Sequence, residues 1–227
     1  MTNCCRHICC GIFFLVGFLD AHFATATATP GARPPSQAPG DTLPGEMRRY
    51  YKNGQLLERY RLVNGQFEGA RVIYYASGRV DREMTYRGGW PNGLFKAYDK
   101  EGRLQREIGY VEGVLDGPWV FYNHGAKSIQ ATFRNGKLEG RYAVFYPTGA
   151  LKVQAQYHQG RLASKVSAYT KAGQLVNEEV PNAAGDRIVT VLTYDKAGRV
   201  KRSEAVDYAP AGTYLGDAIG GYLNGKR

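Results

Sequence analysis

The chain has 227 residues, 30 Lys and Arg against 20 Asp and Glu, and a formal net charge of +10. That balance favours anionic partners: acidic proteins, lipid headgroups, polyanionic glycans or nucleic acid. All four cysteines, Cys4, Cys5, Cys9 and Cys10, lie in the first ten residues, which excludes a disulfide or a thiol catalyst from the rest of the chain.

Residues 1–28 read as a secretory signal. Arg6 supplies a weakly positive start, Gly11 to Leu19 is a short apolar core ended by Asp20, and small residues around Ala26 and Ala28 suit cleavage. The expected location is therefore periplasmic or secreted, with an uncleaved N-terminal membrane anchor as the alternative. The cysteines abut the apolar core and lack a second ligand pair, so no zinc site is expected. Residues 29–46 hold five prolines and three glycines and read as a disordered linker.

From residue 47 to 205 the chain repeats itself. One glycine column runs Gly54, Gly78, Gly102, Gly125, Gly149, Gly173, Gly198, with steps of 24, 24, 23, 24, 24 and 25. A second runs Gly65, Gly89, Gly113, Gly136, Gly160, and a third Gly69, Gly93, Gly117, Gly140. Aromatic columns accompany them: Tyr51, Tyr75, Tyr98, Tyr122, Tyr146, Tyr169, Tyr194, and Leu62, Tyr86, Tyr110, Phe133, Tyr157. A fixed period of this length marks a repeat architecture.

Within a unit, Trp119 to Tyr122 reads as a strand and Asn123-His124-Gly125 as a turn. Lys127 to Phe133 alternates apolar residues with a period of two and reads as a second strand. Asn135-Gly136 marks the next turn. Tyr98, Tyr169 and Tyr194 stand one residue further from their glycine than Tyr75 does, which predicts a first turn of variable length.

The expected fold is all-β: an elongated antiparallel β-hairpin array, a single twisted sheet of about six to seven units of ~24 residues. About thirteen strands at ~4.8 Å spacing would span roughly 60 Å. Pro181 to Gly185 is expected to interrupt the sixth unit. The Gly-rich segment 206–227 reads as a tail or cap.

The pattern Tyr-Tyr-x-x-Gly-x-Leu followed by Tyr-x-x-Gly-x-x-Glu-Gly resembles the bacterial variant of the MORN repeat. Tyr74-Tyr75-Ala76-Ser77-Gly78-Arg79-Val80 and Phe133 to Gly140 carry the resemblance best. It implies a MORN-like sheet, and proteins of this kind are often labelled antitoxins of toxin–antitoxin systems. A weaker resemblance, to the YD repeat, rests on Tyr98-Asp99-Lys100-Glu101-Gly102-Arg103-Leu104 and Tyr194 to Val200.

Catalytic constellations are not legible. His124 and His158 each sit beside a turn glycine, and Glu68, Asp116 and Glu139 recur at one place in the repeat, which points to turn structure. Phosphate-loop, nucleophile-elbow and zinc spacings are absent from the repeats, and no cofactor, metal or specific nucleic acid is expected. The chain reads as a non-enzymatic interaction scaffold with an acidic protein partner, antitoxin-like or immunity-like. The alternative is adhesion to anionic envelope lipid or glycan. The candidate binding surface is Tyr75, Tyr98, Tyr122, Tyr146, Trp90, Trp119, Tyr86 and Tyr110.

Overall fold

The computed structural model describes residues 45–210. The expected signal, almost all of the linker and residues 211–227 of the expected tail lie outside them. The described chain is all-β. In order the strands are β1 (Glu46–Tyr50), β2 (Leu56–Val63), β3 (Gln66–Phe67), β4 (Gly69–Tyr74), β5 (Val80–Arg87) and β6 (Trp90–Pro91). There follow β7 (Gly93–Tyr98), β8 (Leu104–Val111), β9 (Val114–Asn123), β10 (Ala126–Arg134), β11 (Lys137–Leu138) and β12 (Gly140–Phe145). The last six are β13 (Leu151–His158), β14 (Arg161–Leu162), β15 (Val166–Tyr169), β16 (Leu175–Pro181), β17 (Ile188–Tyr194) and β18 (Val200–Tyr208).

All 18 join one antiparallel sheet. The sequence pattern predicts about thirteen strands, and the difference has a local cause. Four pieces, β3, β6, β11 and β14, are two residues long. β3, β6 and β11 continue into the next strand after a break beside the third glycine column, and β14 does so across residues 163–165, where Ser164 stands in place of the glycine. Gly69, Gly93, Gly117 and Gly140 have φ of 75°, 130°, 107° and 77°, a region Gly enters without a Cβ clash. At Gly117 the same feature sits inside the continuous β9. Removing the four short pieces leaves a meander of fourteen rows in sequence order.

One register row crosses all fourteen rows. It reads Arg48, Arg59, Val72, Glu83, Lys96, Glu107, Val120, Gln130, Ala143, Gln154, Ser167, Glu178, Leu192, Ser203. This is the more polar face. The opposite face holds the core: Ile108, Trp119, Ala131, Phe133, Tyr142, Tyr157 and Ile188, with Leu115, Leu138 and Leu162 returned onto it by the hairpin tips. Each large aliphatic or phenyl side chain among them contributes about 1.5–3 kcal/mol by leaving water.

At the N-terminal end a buried carboxylate takes the place of an apolar core residue. Glu58 is paired by Arg49 Nη1 at 3.0 Å and Arg71 Nε at 2.6 Å. Burial opposes the Arg71 charge, but its hydrogen bond to Glu58 prevails and raises its pKa.

The first turns do not vary in length as the tyrosine spacing predicts. Gly54, Gly78, Gly102, Gly149, Gly173 and Gly198 each donate to the carbonyl three residues back, on Tyr51, Tyr75, Asp99, Tyr146, Thr170 and Asp195. The single aromatic column therefore mixes two positions. Tyr51, Tyr75 and Tyr146 are turn residues, whereas Tyr74, Tyr98, Tyr169 and Tyr194 end strands and Tyr122 stands one residue before the end of β9. The one real change of length is at Asn123, which pairs directly with Ala126 across a two-residue turn. That lost residue is the step of 23. Likewise, Pro181 to Gly185 does not interrupt the array. It leads into the turn of the β16–β17 hairpin, with Gly185 N donating to Asn182 O and Leu162 N donating to Gly185 O.

Candidate functional site

The sheet has two long rims. On one lie the turns of the first glycine column; on the other lie the hairpin tips of the second. At the tips, Asn64-Gly65, Glu112-Gly113, Asn135-Gly136 and Gln159-Gly160 all place two successive residues at positive φ, the geometry of a two-residue hairpin that follows the sheet twist. Asn accepts this region readily, which explains the repeated Asn-Gly.

The tips are stacked. Gly89 donates to Phe67 O at 2.9 Å, Gly113 to Pro91 O at 2.8 Å, Gly136 to Leu115 O at 2.8 Å and Gly160 to Leu138 O at 2.9 Å. Carboxylates reinforce the same steps. Glu68 accepts from Gly88 N at 2.8 Å, Asp116 from Asn135 N at 3.0 Å and Glu139 from Gln159 N at 2.8 Å. The amide of Gln159, with His158 Nδ1 at 2.9 Å, holds the Glu139 carboxyl below its ordinary pKa. These recurring acids therefore serve as staples between tips, as their period suggests.

Stacking also decides what is exposed. The side chain after each tip glycine leans over the glycine of the next tip: Gln66 over Gly89, Trp90 over Gly113, Val114 over Gly136, Lys137 over Gly160. Trp90 is 63% exposed, Val111 51% and Val114 47%. Cross-strand pairing sets Arg87 opposite Trp90, Val111 opposite Val114 and Arg134 opposite Lys137. The result is an apolar strip with a basic margin, on a rim whose backbone is fixed by the tip-to-tip bonds.

The sequence-selected aromatics divide by place. Tyr86 and Trp119 are core residues, 5% and 6% exposed, and Tyr110 packs against the same core. Packing accounts for them. Tyr98 ends β7 and Tyr122 stands one residue before the end of β9, and the Tyr98 hydroxyl donates to Glu83 at 2.8 Å. Tyr75 and Tyr146 sit on the turn rim and donate to the carbonyls of Tyr98 and Tyr169 at 2.7 and 2.9 Å. Trp90 alone of the eight lies on the tip rim. Val111, Val114, Arg87 and Lys137 complete that strip and were not selected from the sequence. Their signal was position, one residue before or after a tip turn, where side chains meet water.

A shallow dent open to solvent is lined by Arg71, Ile73, Arg82, Glu83, Met84, Tyr86 and Phe95 and encloses only about 10 Å³, about the room of one water. Among the described residues no group of three His, Cys, Asp or Glu side chains is placed to hold a metal ion.

The family model described as MORN repeat variant matches residues 43–64 and 138–159. No curated protein matches the chain. Among solved structures, a protein of unknown function from Bacteroides fragilis is 8% identical, covering 74% of this chain and 94% of its own, with a TM-score of 0.12.

Proposed function

We propose that this chain of MORN-variant repeats is a non-enzymatic scaffold that binds a protein partner along its hairpin tips. The observation that carries the reading is the exposed strip of Trp90, Val111 and Val114 beside Arg87, Arg134 and Lys137. Exposed Trp and Arg on a preorganised backbone are the usual anchors of protein interfaces. The basic margin selects an acidic partner. Residues 1–28 are read as a signal, so binding occurs in the periplasm or outside the cell, in an antitoxin-like or immunity-like pairing.

Capture of partners from envelope extract by the mature chain, eluted with a salt gradient, tests this. A stoichiometric acidic protein that survives high salt and is lost with Trp90→Ala is the expected result. Retention of the same protein by the Trp90→Ala, Val114→Ser double variant would overturn the reading. The net charge of +10 supports a second reading, adhesion to anionic envelope lipid or glycan, for which early elution at modest salt is expected.

A further inference from the structure

The opposite rim of the sheet has a different chemistry. Its turns carry Lys52, Lys100, Lys171 and Lys196, all exposed, and Arg79, whose Nη1 donates to the Lys100 carbonyl at 2.9 Å; exposed Lys127 stands just past the fourth turn, at the start of β10. Among the described residues none of these six has a carboxylate within ion-pair distance. The rim's own acids are already matched: Asp99 and Glu101 with Arg103, and Asp195 with Arg199. The positive charge of the six therefore faces solvent uncompensated. Five of the seven turns contain one and the fourth has Lys127 just past it; the exception is the turn at Pro147-Thr148, where Lys152 instead lies over the Tyr146 ring. Successive turns are two rows apart, so the charges recur every ~10 Å along a line of roughly 60 Å.

We propose that this turn rim is a binding track for a linear anionic polysaccharide. The inference rests on the adhesion reading above and deepens it by naming the rim and the ligand class. Three features of the rim select the ligand. First, the charges form a file with a regular, sparse spacing, which suits a chain bearing an acid group at regular intervals along its sugars. Second, fourteen rows twisting by ~20° each carry the file through well over half a turn. A flexible chain follows such a path, whereas a planar bilayer meets a few lysines at a time and a duplex with a persistence length of ~50 nm resists the bend. Third, the aromatics of this rim are not offered for base stacking. Tyr51, Tyr75 and Tyr146 are half-buried and donate their hydroxyls to the main chain of the following repeat, whereas single-strand nucleic acid sites combine basic grooves with open rings.

The test uses the full chain, a heparin-type dodecasaccharide as probe, and two variants that remove equal charge. The rim variant is Lys52→Gln, Lys100→Gln, Lys171→Gln and Lys196→Gln. The tip variant is Arg87→Gln, Arg134→Gln, Lys137→Gln and Arg161→Gln. All eight positions are exposed, and far-ultraviolet circular dichroism checks that both variants keep the wild-type sheet. The rim variant is expected to bind the dodecasaccharide at least tenfold more weakly, with a shallower dependence on salt, and the tip variant within about twofold of wild type.

Equal losses in the two variants would overturn the proposal, because binding would then follow net charge and no particular rim. Tighter, lysine-dependent binding to phosphatidylserine vesicles than to the dodecasaccharide would also overturn it while leaving the adhesion reading standing. Failure of the wild-type chain to bind either probe at low salt would remove both.

Discussion

Both rims of the sheet are lined with glycines at positive φ, yet they are built differently. On the turn rim, a Cβ added at Gly54, Gly78, Gly102, Gly125, Gly149, Gly173 or Gly198 would meet nothing within 4 Å. On the tip rim, Gly89, Gly113, Gly136 and Gly160 each lie under a side chain of the preceding tip. The turn rim is joined by long reaches, from a tyrosine hydroxyl to a carbonyl of the next repeat; the tip rim is joined backbone to backbone. The same residue with the same backbone requirement therefore serves an open, charged rim on one side and a stacked, partly apolar rim on the other. Packing separates them, and so does the turn around the glycine: the tips hold two successive residues at positive φ, whereas on the turn rim only Gly125 has such a neighbour, His124.

The largest effect should come from the tip half of the sheet, where the backbones crowd. Gly109 does not lie at positive φ; its constraint is that a Cβ would overlap the Asp116 carbonyl oxygen. Gly109→Ala is expected to cost about 3 kcal/mol, read by chemical denaturation. A loss below about 1 kcal/mol would mean that the bulge beside Gly117 yields easily, and the contrast between the rims would weaken.

Alkaline titration sharpens the contrast next. Burial pushes Tyr110 and Tyr142, on the packed face, up to about 12 from an ordinary 10.0. A raised tyrosine pKa means that the folded state keeps a proton the unfolded chain gives up. The stability of each such tyrosine is therefore fully present below pH 10 and is lost as pH climbs toward 12. About 2 kcal/mol per tyrosine is expected, from thermal melts at pH 9 and 12. Tyr142→Phe should flatten that loss. Tyr75 and Tyr98 are also pushed to about 12, by burial first and then by Asp81 and Glu83 respectively. Their partial exposure lets solvent screen part of the effect, so their share should be smaller.

A matched pair of substitutions comes third. Gly113→Ala places a methyl 2.8 Å from the Trp90 ring at φ 81°, whereas Gly102→Ala at φ 86° meets open space. The strained backbone costs about 1 kcal/mol in both. Gly113→Ala should add roughly 0.5–1 kcal/mol and change Trp90 fluorescence as the ring is displaced. Equal costs with unchanged fluorescence would show that the ring moves freely.

The smallest effect is expected for Tyr75→Phe, which removes the hydroxyl bond to Tyr98 O and should cost about 0.5–1 kcal/mol. Hydrogen exchange at the turn rim should rise while the tips stay protected.

The architecture was legible because a repeat states its own period. Asn-Gly pairs fix hairpins, alternation fixes which face is apolar, and a residue recurring in five or more units has a structural reason in each. The recurring acids Glu68, Asp116 and Glu139 were legible as turn structure for the same cause. The candidate surface was much less so. Tyr86, Trp119 and Trp90 are all aromatic residues in strand-like runs, and their types do not separate two core positions from one exposed position. The tyrosine column was misaligned because Tyr74 and Tyr75 are adjacent and identical, so counting back from Gly78 selected the wrong one as the partner of Tyr98.

By itself the sequence determined the all-β class, the ~24-residue unit and the order of the meander, since these follow from local backbone preference and periodicity. The tertiary structure decided how the rims differ. Stacking tip on tip depends on contacts between residues some 19 to 24 positions apart, such as Asp116 with Asn135 and Trp90 with Gly113. A periodic sequence repeats those residues without stating which copies touch. Burial of Glu58 between Arg49 and Arg71, and exposure of Trp90, were settled the same way, by which neighbour the folded sheet brings over each side chain.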